Sequence, residues 1–179
     1  MTEEYIIEQT KNWIKTVVID CNFCPFAAKV YSNKTIHYTV SKVSTVAEAL
    51  PILKSGLELL DANEQTETSF IIFPEGFKEF NDYLSLVKKA EKLLAKEDYE
   101  GIYQIASFHP SYCFDGSDND DPANYTNRSV YPMLHILREE SIDKALQFFP
   151  HSEKIPENNI TFTREKGLKY MQLLLNACK

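Results

Sequence analysis

The sequence predicts an α/β fold: a small, mostly parallel sheet of three or four strands with crossover helices and a helical C-terminal third. Two observations carry this prediction. Short segments rich in β-branched and aromatic residues alternate with segments whose apolar residues recur at helical spacing, and such alternation implies crossovers between neighbouring parallel strands. The strand-like segment 69–73 is apolar at nearly every position, as in strands buried on both faces. A ferredoxin-like α+β sheet is the alternative.

The first half of the chain begins with a helical pattern. Apolar residues at helical spacing predict a helix from Thr2 to about Ile19, with Thr2 as its N-cap, although the β-branched run 16–19 also fits a short strand. Pro51 interrupts the next apolar stripe, which favours a late helix start. The predicted elements after the first helix are a strand, this helix and the buried strand, at 36–40, 46–60 and 69–73.

The second half contains one more helix–strand unit, at 83–96 and 101–108, followed by a long polar loop to about Tyr131. Three helices then complete the chain, and Ser141 is the expected cap of the second. Pro132 at the start of the first leaves free N–H groups, which predicts an anion site beside Arg128. The three predicted helices span 132–139, 141–149 and 163–177.

Length and composition limit the range of functions. The 179 residues suit a single domain, 1–179, and a net charge of −7 argues against nucleic acid, which needs a basic face. Five glycines provide no phosphate-cradling loop and no nucleotide-cofactor motif. The acidic N-terminus and the short apolar runs predict a cytoplasmic protein with no membrane partner, in which the four cysteines are free thiols.

A candidate site follows the third predicted strand. Functional groups in parallel sheets collect beyond the carboxyl ends of the strands, and there the chain places His109. A loop as long as 109–131 in a compact domain is usually functional or disordered, and its three aromatic side chains favour an ordered loop. On the helix predicted after this loop, His135, Arg138 and Glu139 fall at i, i+3 and i+4 and would share one face.

The leading hypothesis is a small enzyme that acts on an anionic small molecule. Arg128 and the helix N-terminus would bind the anion, and His109 or His135 would act as general acid or base. Glu139 would orient an imidazole. Cys24 is the candidate nucleophile, because Pro25 at a first helical position would make Cys24 an N-cap, where the helix dipole favours thiolate.

Three alternatives stay open. A non-catalytic metal- or ligand-binding module would use a mixed ligand set suited to zinc, iron or manganese, namely His109, Asp121, His135 and Glu139. A thiol redox protein would use Cys21 and Cys24, provided that a strand precedes the C-x-x-C and a helix follows it. In a purely structural role, the polar residues of the loop would tie it down through hydrogen bonds.

Four stretches resemble a bacterial family that is catalogued as domain of unknown function 1415: N-F-C-P-F-A at 22–27, F-H-P at 108–110, D-P-A-N-Y-T-N-R-S at 121–129 and Y-P-M-L-H-I-L-R-E at 131–139. The resemblance covers nearly the whole chain and implies no particular reaction or cofactor. In that family the position of Cys21 is usually aliphatic, which argues against the redox alternative. The resemblance adds ligand-binding candidates to the catalytic ones, at Asp121, Asn124, Tyr125, Asn127, Arg128 and Arg138.

Overall fold

In the computed structural model, which describes residues 1–149 and 151–179, four strands form one mixed sheet. Its order is β1-β2-β4-β3. β1 and β2 pair in parallel, and β4 lies between β2 and β3, antiparallel to both. The predicted α/β class is confirmed, with three strands pointing one way and one the other. The strands are β1 (Ile36–Val40), β2 (Thr68–Ile72), β3 (Tyr103–Phe108) and β4 (Met133–Arg138).

The prediction of a helix over 132–139 is wrong, because residues 133–138 form β4. This strand is covered on both faces: Leu134 and Ile136 pack on one side of the sheet and Met133 on the other. A strand buried on both faces loses the alternation of apolar and polar residues. Its apolar run therefore also matches helical spacing, which misled the sequence interpretation.

Five of the helices predicted above are present, with limits that differ from the prediction. Thr2 caps the first helix as predicted, accepting the Tyr5 N–H at 3.3 Å. Residues 14–19 continue this helix as a π-helix, so a strand at 16–19 is wrong. The predicted helix 163–177 is two helices, which break at Gly167 (φ 80°). The α-helices are α1 (Glu3–Trp13), α2 (Ala27–Ser32), α3 (Val46–Ala62), α4 (Phe80–Lys96), α5 (Glu139–Leu146), α6 (Ile155–Lys166) and α7 (Leu168–Asn176).

The helices cover both faces of the sheet. Successive side chains of a strand point to opposite faces, so each strand contributes to two cores. On β2, Phe70 and Ile72 point to the side of α1, the π-helix and α7, where Trp13 is fully buried. Ile71 points to the side of α3 and α4. No helix in the described part of the chain is long and apolar enough to cross a membrane. α3 begins at Val46 and contains Pro51, so the late helix start that Pro51 favours in the sequence is wrong.

The turn between β2 and α4 packs directly on the segment that follows β1. A Cβ built on Gly76 would lie 2.1 Å from the Val43 carbonyl oxygen, so only glycine fits this position. The next residue, Phe77, adopts φ 53°, a left-handed backbone that costs a bulky residue free energy. Its ring is buried against Phe73 at a centroid distance of 5.0 Å, which holds the backbone in place.

The close approach at Gly76 predicts a large loss of stability in Gly76→Ala. We expect the free energy of unfolding to fall by about 3 kcal/mol or more, because the methyl group must displace backbone. Gly101→Ala is the comparison variant. Gly101 has a positive φ (80°), which Gly76 lacks, but open space around it, so only backbone strain of about 1 kcal/mol is expected there. Urea denaturation of the two variants makes the comparison, and equal losses would contradict the packing argument.

Candidate functional site

The segment 109–132 joins two adjacent antiparallel strands, and its side chains hold it together. Asn124 is fully buried at its centre. Its Oδ1 accepts the Phe114 N–H at 3.0 Å, and its Nδ2 donates to the Asp118 carbonyl at 2.8 Å. Asn127 donates to the Ser107 carbonyl at 3.2 Å and so ties the segment to β3. An irregular segment cannot pair all of its own backbone groups, and both asparagine side chains provide hydrogen-bond partners for them.

Asp121 opens the short 3-10 helix Pro122–Thr126 and links it to α6. Its Oδ1 accepts the Ala123 N–H at 2.9 Å. Arg164 donates to both carboxylate oxygens, with its closest nitrogen at 2.7 Å. The Arg164 guanidinium and the Ala123 N–H lower the pKa of Asp121 to about 2.

Arg128 bonds to the same loop rather than to an open surface. Its Nε donates to the Tyr112 carbonyl at 3.0 Å and its Nη2 to the Asn119 carbonyl at 2.8 Å. The guanidinium lies 4.7 Å from the ring centroid of Tyr125, which is buried in the core on the α1 side. The anion site predicted beside Arg128 lacks the helix N-terminus it requires, because Pro132 precedes a strand and no helix starts there.

His109 is buried, and the backbone uses both of its ring nitrogens. The Ser111 N–H donates to Nδ1 at 3.0 Å, so Nε2 carries the proton and donates to the Phe77 carbonyl at 2.9 Å. Burial lowers the pKa of His109 below its ordinary value. The imidazole therefore connects the turn after β2 to the loop after β3. Its proposed role in catalysis stays a prediction.

The predicted face of His135, Arg138 and Glu139 does not exist, because successive residues of a strand point to opposite sides and His135 and Arg138 are three residues apart. His135 points to the α1 side, stacked on Phe70 at 3.8 Å, with Nε2 at 2.6 Å from Thr68 Oγ1. Burial lowers the pKa of His135 to about 3.

Arg138 points to the opposite side of the sheet and holds the end of α3. Its Nη2 donates to the Leu60 carbonyl at 2.5 Å, and its Nη1 donates to the Tyr103 hydroxyl at 3.1 Å. Glu139 is the first residue of α5, and its N–H donates to the Ile102 carbonyl at 3.0 Å. The catalytic roles of His135 and Glu139 stay predictions.

The four cysteines are free thiols, and neither residue of the C-x-x-C follows a strand. Cys24 precedes α2, where its carbonyl accepts the Ala27 N–H. Burial raises the pKa of the Cys24 thiol, and the nearby Phe26 and Ala27 N–H groups lower it by less. Burial likewise raises the pKa of Cys21. The strand–C-x-x-C–helix context predicted for a redox protein is therefore wrong.

The ligand set predicted for a metal does not assemble. Within residues 1–149 and 151–179, no three His, Cys, Asp or Glu side chains come close enough to hold an ion. Asp121 is paired with Arg164 instead, and His109 with two backbone groups.

An open cleft of about 670 Å³ lies between the first family-like stretch and α6, and we call it the motif cleft. The π-helix ends at Ile19, directly before the wall of the cleft that begins at Asp20. π-Helical turns occur often at functional sites. Asn22 adopts φ 56° on that wall. The residues that line the cleft are Asp20, Cys21, Asn22, Pro25, Phe149, His151, Ser152, Lys154, Ile155, Asn158, Asn159 and Phe162.

The motif cleft combines unused polar groups with apolar walls. Asn159 bridges the two sides, donating to the Phe23 carbonyl at 2.8 Å. Asn22 and Asn158 are exposed, and their side chains have no hydrogen-bond partner among the described residues. The sequence motif indicates Asn22 but not the opposite wall, which is formed by Phe149 and by residues between His151 and Phe162. The only signal there was the polar run around Asn158.

A second cleft, of about 380 Å³, lies beside Asp121. Asp115, Asp118 and Asp121 line it, and its cation, Arg164, is already paired with Asp121. Its surface is therefore unsuited to an anion.

Comparison with known proteins gives one result. A family model described as a protein of unknown function, DUF1415, matches residues 5–173. No curated protein and no solved structure matches the chain.

The ion pair of Asp121 predicts a specific dependence of stability on pH. Its pKa is lower in the folded state than the ordinary value near 3.8, so its contribution is complete above that value and is lost as the pH falls towards 2. Asp121→Asn should therefore lose less unfolding free energy between pH 4 and pH 2 than the wild type. The exposed neighbour Asp120→Asn is the control. Parallel pH curves for wild type and Asp121→Asn would contradict the assignment.

Proposed function

Because this chain belongs to the DUF1415 family, whose model assigns no activity, we propose from its geometry that it binds a small anionic molecule in the motif cleft. One observation carries the proposal. The motif cleft is a concave site of ligand-binding size, with an ammonium group, an imidazole and two unused side-chain amides on its walls.

Charge supports an anion at this place. The chain carries 26 acidic and 19 basic residues, so a surface without an excess of carboxylates stands out. Asp20 is the one carboxylate among the lining residues and Lys154 the one cation, while Glu153 lies outside the lining, 3.4 Å from His151 Nδ1. By contrast, three aspartates line the cleft beside Asp121. An anion is therefore favoured in the motif cleft and repelled at the other.

Side-chain amides provide the hydrogen-bond donors of the cleft. The first two residues of α6 add none, because the Ile155 N–H donates to the Ser152 carbonyl and Pro156 has no N–H. The amides of Asn22 and Asn158, on opposite walls, offer donors to a bound anion.

The enzymatic form of this proposal places an acid–base reaction on the bound anion. His151 is the imidazole on the cleft wall, and imidazole is the side chain most often used for proton transfer in enzymes. Its Nδ1 lies 3.4 Å from the Glu153 carboxylate, and both side chains are exposed. His109 is buried and His135 partly buried, and both lie outside the cleft lining, so this form of the proposal does not depend on them.

Titration calorimetry with inorganic phosphate, pyrophosphate and benzoate tests the proposal. We expect at least one of these anions to bind, and Lys154→Gln to weaken its Kd about tenfold, the usual effect of losing one charge-assisted hydrogen bond. Lys88→Gln removes the same charge from α4, across the sheet, and should leave Kd unchanged.

Two results would overturn the proposal. The first is that none of the three anions binds. The second is an equal weakening in Lys154→Gln and Lys88→Gln, which would show that only the net charge of the protein matters.

A further inference from the structure

The motif cleft has aromatic walls that a bare anion would leave in contact with water. Phe149 lines it with 40% of its surface exposed, among the more exposed large apolar side chains of the described residues. Its ring meets Phe26 edge to face, at a centroid distance of 5.2 Å and an angle of 89°. Phe149 is thus packed along one edge and left uncovered where it borders the cleft.

A second phenyl ring, that of Phe162, lines the cleft from α6. It packs edge to face on the buried Phe23 at 5.8 Å, and the Lys166 ammonium lies 5.5 Å from its centroid. Both contacts fix the position of the ring before any ligand arrives. A preformed apolar wall adds affinity because the protein does not have to be ordered on binding.

Several polar side chains lie on the rim of the cleft. Lys154 and Asn158 are exposed on α6 and its preceding turn, and Asn22 is exposed on the opposite wall. Pro25 and Ile155 extend the apolar surface. Apolar atoms form most of the exposed lining surface, which suits an organic molecule better than an inorganic ion.

From these contacts we infer that the ligand of the motif cleft is a ring-bearing organic anion, whose flat apolar body covers Phe149 and Phe162 while its charged group meets Lys154. This inference rests on the proposed function. Exposed phenyl rings favour an aromatic partner, since offset and edge-to-face pairs add to the effect of area burial alone.

The experiment compares 2-naphthoate with acetate, which carries the same charge without the rings. Amide chemical shifts in ¹⁵N-labelled full-length protein report both affinity and position. We expect 2-naphthoate to bind at least tenfold more tightly than acetate, with the largest shifts at Asn22 and Asn158. Phe149→Ala should weaken the binding of 2-naphthoate at least fivefold and leave that of acetate unchanged.

The neighbouring residue provides a matched control. Phe148 is 81% exposed and lies outside the cleft lining, so Phe148→Ala should leave both affinities unchanged. Both positions are exposed enough that the variants should fold, which thermal unfolding verifies. Phe162→Leu is a second test that keeps an apolar side chain on α6. It should also weaken the binding of 2-naphthoate and leave that of acetate unchanged.

The two levels of the proposal fail in different ways. If acetate binds in the cleft as tightly as 2-naphthoate, or if Phe149→Ala and Phe148→Ala have equal effects, the ring-bearing ligand is overturned while the anion site stands. If neither probe shifts the amides of Asn22 and Asn158, both the inference and the anion site are overturned.

Discussion

The insertion of β4 between β2 and β3 is the constraint on which the rest of the structure depends. β4 pairs with a strand on each side, so its backbone hydrogen bonds hold the sheet together. Since β4 runs antiparallel to β3, the segment 109–132 must leave and re-enter the sheet at the same end. An irregular segment in that position needs partners for its backbone groups, and Asn124 and Asn127 provide them.

This constraint explains the chemistry of the longest family-like stretch. Asp121, Asn124 and Arg128 all bond to the backbone of the loop or to α6, so each has a structural contact. His109 connects the same loop to the turn after β2, where Phe77 has a left-handed backbone. Polar residues of this type can be required for the fold without contacting a ligand. The unused polar groups lie instead in the motif cleft.

The elements predicted correctly from the sequence are those whose pattern involves only neighbouring residues. The strands 36–40, 69–73 and 101–108 are confirmed within a few residues, because each is bounded by polar or turn residues. β4 was mistaken for a helix because both of its faces are buried, and the His135, Arg138 and Glu139 face failed with it. Only pairing with β2 and β3 distinguishes a strand from a helix at 133–138, and strand pairing depends on residues far away in the sequence.

The motif cleft was only half predictable for the same reason. Asn22 belongs to a family-like motif, but the opposite wall lies more than a hundred residues later, at Phe149 and between His151 and Phe162. The last predicted helix starts at Thr163, whereas α6 starts at Ile155, so the wall residues from His151 to Phe162 fall outside the predicted helices. Tertiary packing of α6 on the segment after the π-helix creates the cleft, as the Asn159 bond to Phe23 shows.

The central claim is that ligand chemistry belongs to the motif cleft and not to the loop after β3. The most direct test is a crystal structure of the full chain soaked with 6-bromo-2-naphthoate, with anomalous scattering used to locate the bromine. The account predicts a bromine peak against Phe149 and Phe162, with the carboxylate near Lys154. A peak beside Arg128 or Asp121, or no peak in the motif cleft, would contradict it.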